Sequence, residues 1–352
     1  VILLGYMFVP FSIRLSNTTL YPLFDAVMPL ARDINVGTGV AVSLVVVIAA
    51  LHKPRLLKAT PLGVGAVAAA LVGSVVMEVG LTLGSPVLLC AGAILRSMGT
   101  AWTSLLASIA CCDLASRWLL AGIPAASFAG YALSWAVASL SEQAALILLA
   151  ASPLAVYLCC HTGANRLVGE IAEAPAQDGA RLMRPASYLP FTNRMFICMF
   201  FATAVLGFNL RFGPVEGGAA SPFASLFALA ALALLGWFST HIRLYDATFK
   251  AAIVFAVAAF LIMPLRSYLP LAQDLLTVAA ACFDTVFALV MIAASTRNRL
   301  SAVTVLSWGS VMSTAGSIVG ANLGAFVSAS AASDTAFLAS ATAATALVAY
   351  VL

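Results

Sequence analysis

Arg14, Arg96 and Asp284 each interrupt a long apolar run in a chain of 352 residues that is 63% hydrophobic and only 9% charged. At bilayer depth such a charge costs about 2.5–3.5 kcal/mol on insertion scales, so it faces a cavity, a partner or a ligand rather than lipid. A guanidinium fork fits a carboxylate or a phosphate through two parallel hydrogen bonds. A carboxylate in the same place can hold a cation or a proton. The chemistry these residue types suit is recognition of a small anionic or zwitterionic ligand. The other reading is structural: an Arg96–Asp284 pair that locks two parts of the molecule together.

Helical spacing extends the set. Thr100 and Thr103 follow Arg96 at steps that share a helix face with Gly92, Gly99 and Ala107. Tyr6 and Pro10 share the face of Arg14, and Thr277 precedes Asp284 by two turns. Arg211 ends an apolar run that carries Phe200, Thr203 and Gly207. Candidate ligand-contacting residues are therefore Tyr6, Arg14, Arg96, Thr100, Thr103, Arg211 and Asp284. Asp284 and Glu78 are the carboxyls able to carry a proton, Asp284 being the better placed.

The elements that must position these groups are membrane-spanning helices. Apolar stretches of about 18 residues or more recur along the chain, enough to cross a hydrocarbon core of about 30 Å. The runs are continuously apolar rather than alternating, which selects helices over a barrel. The expected fold is all-α and polytopic, with twelve segments at 1–24, 34–51, 62–83, 86–110, 117–139, 142–160, 191–213, 220–241, 246–265, 270–295, 301–328 and 335–352. A polar stretch at 161–190 holds Arg166, Glu170, Glu173, Asp178, Arg181 and Arg184, and divides two six-helix halves, 1–160 and 191–352.

Loops after even-numbered segments carry twelve Lys or Arg residues, against three (Arg32, Arg211, Arg266) after odd-numbered ones. The positive-inside rule then puts the even loops, the linker and both termini in the cytoplasm of a bacterial inner-membrane protein. The net charge of +4 reflects that bias and not nucleic-acid binding. Both ends stop inside apolar runs and read as cut. Gly122, Ala126 and Gly130, and again Gly316, Gly320 and Gly324, recur every four residues and predict close helix packing.

The seven cysteines lie in or beside apolar runs without metal-ligand spacing, and His52, His161 and His241 sit at segment ends, so no metal site is expected. No Walker loop, dinucleotide fingerprint or catalytic triad is present. The expectation is a protein without cofactor and without enzymatic activity.

The segments have an internal echo. Phe8-Val9-Pro10-Phe11-Ser12-Ile13-Arg14 is matched by Val205-Leu206-Gly207-Phe208-Asn209-Leu210-Arg211, and the fourth and tenth segments each carry a charge after a Leu-Leu pair. Two parallel six-helix repeats around a cytoplasmic linker resemble the major facilitator superfamily. That resemblance implies a central cavity lined by segments 1, 4, 7 and 10, which carry all four charges. The superfamily's gating loop, Gly-x-x-x-Asp-Arg-x-Gly-Arg, is missing: the second loop reads His52-Lys53-Pro54-Arg55, and Arg243-Leu244-Tyr245-Asp246 is equally degenerate.

A narrower resemblance runs through Pro185-Ala186-Ser187-Tyr188-Leu189-Pro190-Phe191, Gly207-Phe208-Asn209-Leu210-Arg211-Phe212-Gly213 and Arg96-Ser97-Met98-Gly99-Thr100-Ala101-Trp102. These stretches resemble membrane-embedded LuxR-type transcriptional regulators of Eggerthella-like actinobacteria. The resemblance implies a ligand-sensing membrane domain, partnered by the lipid bilayer, that meets DNA only through a C-terminal domain absent from this chain. The alternative is a secondary active transporter of a small anionic or zwitterionic solute, with Arg14 and Arg96 holding the solute and Asp284 coupling protons.

Overall fold

In a computed structural model the chain is a bundle of long helices. The structure describes residues 1–57, 59–139, 141–173, 193–211, 222–238, 243–262, 265, 268–297 and 299–330. The first expected segment is not one helix. It comprises α1 (Ile2–Leu15), a π-helical turn over Ser16–Leu20, and α2 (Tyr21–Val27). Six further helices complete segments two to seven: α3 (Ala31–His52), α4 (Ala59–Thr82), α5 (Pro86–Cys111), α6 (Ser116–Ala138), α7 (Glu142–Glu173) and α8 (Arg194–Arg211). Then come α9 (Pro222–Phe238), α10 (Arg243–Ile262), α11 (Leu269–Arg297) and α12 (Ala302–Ser330). Eleven of the twelve expected segments are thus accounted for by described helices, while the twelfth, 335–352, lies outside the described residues.

Among the described residues, six helices are long and apolar enough to cross a membrane by length and composition, α3 and α11 being the most apolar. With no water to satisfy peptide groups, such runs must close their hydrogen bonds internally, which the α-helix does. Turns fall where the sequence leaves the helix. Gly84 adopts a left-handed φ of +60°, and Ser85 N–H donates back to Gly80 O at 2.9 Å, so the chain reverses before Pro86 opens α5. One boundary differs from expectation. Arg166, Glu170 and Glu173 are not in a linker but in the last turns of α7, a helix of 32 residues. The helix outlasts its apolar part because its polar end meets charges from neighbouring loops.

The glycine stripes do pack helices, and each packs inside its own half. A Cβ on Gly316, Gly320 or Gly324 would run into the carbonyl oxygens of Phe200, Ala204 and Phe208, so α12 lies directly on α8. Gly130 meets the backbone of Met7 and Phe11, and Gly122 meets Leu3, seating α6 on α1. The halves touch elsewhere, α3 against α12 and α6 against α9, with Ser43 and Ser310 hydroxyls 3.2 Å apart across the α3–α12 seam.

Gly320→Val is expected to lower stability by about 1–3 kcal/mol, because overpacking must push two backbones apart. Gly65→Ala, where an added Cβ meets nothing within 4 Å, is expected to be neutral or to stabilise α4 by up to about 1 kcal/mol. Thermal midpoints of the two purified variants check this. Equal midpoints would remove the α8–α12 contact from the account.

Candidate functional site

Between the halves lies a cavity of about 490 Å³, within the usual range for small-molecule sites of about 300–1,000 Å³. Tyr6, Arg14, Arg96, Thr100 and Asp284 all line it. The expected segments contribute α1, α5, α8 and α11, but α3, α6 and α12 contribute as well, with Arg32, Tyr131 and Ser313 among the additions.

Two groups of charge are distinct. The first centres on Tyr21. Arg96, 3% exposed, donates to Ser16 Oγ at 3.4 Å, and its Nε has no hydrogen-bond partner. Arg32, 4% exposed, has its guanidinium carbon 5.4 Å from the Tyr21 ring centroid, and its Nη1 is likewise without a hydrogen-bond partner. Asn35 Nδ2 donates to Tyr21 Oη at 2.8 Å, and Ser97 Oγ donates to Asn35 O at 2.6 Å. The π-helical turn between α1 and α2 is what brings Ser16 and Tyr21 to this cluster, since the widened turn shifts the helical register after Leu15.

The second group surrounds Asp284 on α11. Asp284 is deep among protein atoms yet keeps exposed surface, and what that surface opens onto is the cavity. The phenols of Tyr6 and Tyr131 and the guanidinium of Arg14 lie within its electrostatic reach. Arg14 sits 5.4 Å over the Tyr131 ring. Among the described residues neither Arg14 nor Asp284 closes an ion pair within 4.0 Å. The Arg96–Asp284 lock is therefore not formed.

Two of the expected ligand contacts, Thr103 and Arg211, and one expected proton carrier, Glu78, do not line the cavity. Thr103 is buried and donates to Gly99 O at 3.1 Å, on the side where a Cβ at Gly99 would strike α4. The glycines of α5 mark its packing face, and the open polar stripe is rotated to Ser97, Thr100, Ser104 and Ser108. Glu78 is half-buried on α4 and does not line the cavity. Arg211 lies at the end of α8, where it bonds Asp33 Oδ2 at 3.3 Å, Asn322 Oδ1 at 3.4 Å and Pro29 O at 3.1 Å.

Arg211 thus ties α8 to the start of α3, bridging the halves at one end of the cavity. The opposite end has its own bridge. Asp113, after α5, pairs with Arg166 of α7 at 2.9 Å and with Arg299 before α12, and Arg299 also reaches Glu170 at 3.7 Å.

Arg32, absent from the sequence-based set, is the main addition. Its position at the head of an apolar segment is where boundary charges ordinarily stand, and only its pairing with an unusual polar run (Asp33, Asn35) hinted otherwise.

No family model and no curated protein matches the chain. Solved structures do match over nearly its whole length. A bacterial homologue of the iron transporter ferroportin, in an outward-facing state, aligns with a TM-score of 0.65 at 11% identity over 99% of this chain and 96% of its own. The human organic anion transporter MFSD10 (TETRAN) gives 0.61 at 16% identity, covering 99% and 97%. A Major Facilitator Superfamily transporter, FucP, in the outward conformation, gives 0.58 at 15% identity, covering 99% and 96%. At these identities the likeness establishes the fold, a major-facilitator-like membrane bundle. All three are transporters, so nothing in the likeness supports the LuxR-type reading.

A double-mutant cycle of Asp33→Asn and Arg211→Gln tests the bridge between the halves. A coupling of about 1 kcal/mol is expected for a contacting, largely buried pair. Additive losses of stability would show the pair to be incidental.

Proposed function

We propose that this protein is a secondary active transporter of a small anionic or zwitterionic solute, which the central cavity carries by alternating access. The observation that supports it most is the union of guanidinium groups and a free carboxylate in one cavity between two halves that are bridged at both ends. Arg96 holds the solute's negative group, with Arg14, Tyr6 and Thr100 around it. Asp284, without an ion-pair partner, is the proton-coupling carboxyl. Arg211 acts at the extracellular closure rather than on the solute, taking the orientation that the Lys and Arg distribution favours, with both termini in the cytoplasm of the inner membrane. Alternating access then opens the Asp33–Arg211 bridge on one side and the Asp113–Arg299 bridge on the other.

The sensor reading rests on short stretches that have other uses here. Residues 185–191 and 212–213 lie outside the described residues. Gly207 faces the backbone of Ser317, and Arg96 to Trp102 serve the cavity and the α4 contact. Among the described residues, none supports contact with DNA.

Uptake of labelled small anions into proteoliposomes under an inward proton gradient tests the proposal. Wild-type protein is expected to accumulate at least one of them, Arg96→Ala to lose accumulation, and Asp284→Asn to lose its stimulation by the gradient. Uptake indifferent to both substitutions would refute the assignment.

A further inference from the structure

Among the described residues, the Tyr21-centred cluster carries more charge than it compensates. Asp33 lies between Arg32 (3.7 Å) and Arg211 (3.3 Å), so one carboxylate serves two guanidiniums. Arg14 and Asp284 oppose one another across the second group. Asp25, which also acts on Arg32, is exposed on α2, where solvent screens it. Taken as a sum of charge, Asp33 offsets Arg211 and Asp284 offsets Arg14 without closing an ion pair with it, which leaves Arg32 and Arg96, both almost wholly buried and each with a guanidinium nitrogen lacking a hydrogen-bond partner. Buried charge without a counter-charge is unfavourable in a low-dielectric interior, and unmatched donors add to it.

Resting on the transport reading, and narrowing it, we propose that the solute is a small dianion whose negative charge is taken up by Arg32 and Arg96 together. Ser16, Asn35 and Tyr21 surround the pair and supply further polar contacts. A dianion brings the lined charge to zero. A monoanion leaves one guanidinium unmatched, and a zwitterion leaves two. Asp284 has no need of a ligand ammonium, because Arg14 already stands in its field. A dicarboxylate and a phosphate monoester share this chemistry.

The experiment is binding to the purified, detergent-solubilised protein at pH 8, read by thermal stabilisation. The probes are succinate and inorganic phosphate as dianions, butyrate as a monoanion and glycine as a zwitterion. At least one dianion is expected to bind tenfold or more tightly than butyrate and glycine. Arg32→Gln and Arg96→Gln are each expected to weaken it about 10- to 100-fold, as loss of a charge-assisted contact does, and to erase the preference for two charges. Arg32→Lys and Arg96→Lys keep the charge and are expected to keep the preference, which holds the test open if a Gln variant fails to fold. Equal binding of butyrate or glycine, no binding by either dianion, or a preference unmoved in all four variants would overturn the proposal. Binding is read apart from uptake. A dianion bound tightly by a protein that transports nothing would sink the transport reading alone, and uptake of a monoanion in preference to dianions would sink this one alone.

Discussion

A guanidinium on a buried helix of a membrane protein must be answered by something, and that constraint organises the molecule. Arg96 sits near the middle of α5, 3% exposed, with one weak hydrogen bond to Ser16 and a bare Nε. Lipid cannot receive it. The bundle therefore keeps a polar volume beside it, and the features around that volume follow: the π-helical turn that moves Ser16 and Tyr21 inward, the Asn35–Tyr21 bond, and the run of hydroxyls along α5. Close packing elsewhere makes the volume possible. α12 lies on α8, α6 on α1 and α5 on α4 through glycines, so the halves are dense within themselves and spare their open space for the seam.

The two ends of that seam are both held by Asp–Arg pairs, and the pairs differ in burial. At one end a largely buried pair, Asp33–Arg211, is backed by Asn322 and the Pro29 carbonyl. At the other, Asp113 is shielded while its partners Arg166 and Arg299 remain open to solvent. Ion pairs with exposed partners are weak, about 0–1 kcal/mol each. Weakness suits a contact that the proposed alternating access would break in every cycle. The gating motif is missing from the sequence of the second and eighth loops, while Asp113 and Arg299, from the fourth and tenth, cross between the halves.

Legibility of the site in the sequence followed the cost of each residue's placement. Arg14, Arg96 and Asp284 interrupt apolar runs, where nothing but a cavity excuses them, and all three line it. Tyr6 and Thr100 followed from helical spacing. Arg32 was hidden because a charge at the head of a segment is ordinary there, and its burial arises from α2 folding back over it, which a π-helical turn decides and periodicity does not reveal. Thr103 failed because two faces of α5 carry small and polar residues, and only the partner helix α4 determines which is sealed. Arg211 stands at the end of its helix as read, but it meets Asp33 and the Pro29 carbonyl rather than the cavity. The twelve-segment pattern was readable from hydropathy for eleven segments. The end of α7 was not, since a helix held by ion pairs at its polar tip carries no apolar signal.

Bridges at both ends bear on which kind of machine this is. A sensing domain needs one equilibrium that a ligand can bias, and one closable end provides it. Carrying a solute across requires two closures that are never open together. The chain commits charged residues to both: Asp33 and Arg211 at one end, Asp113, Arg166, Glu170 and Arg299 at the other. Asp33 adds a link that a passive lock would not have, since its two oxygens face a cavity arginine and an arginine of the opposite half. On the proposed reading, an anion that drew Arg32 toward itself would leave Asp33 to Arg211 alone. Coupling of occupancy to closure is what the proposed carrier would require, and the adjacent Arg32 and Asp33 stand where it would run.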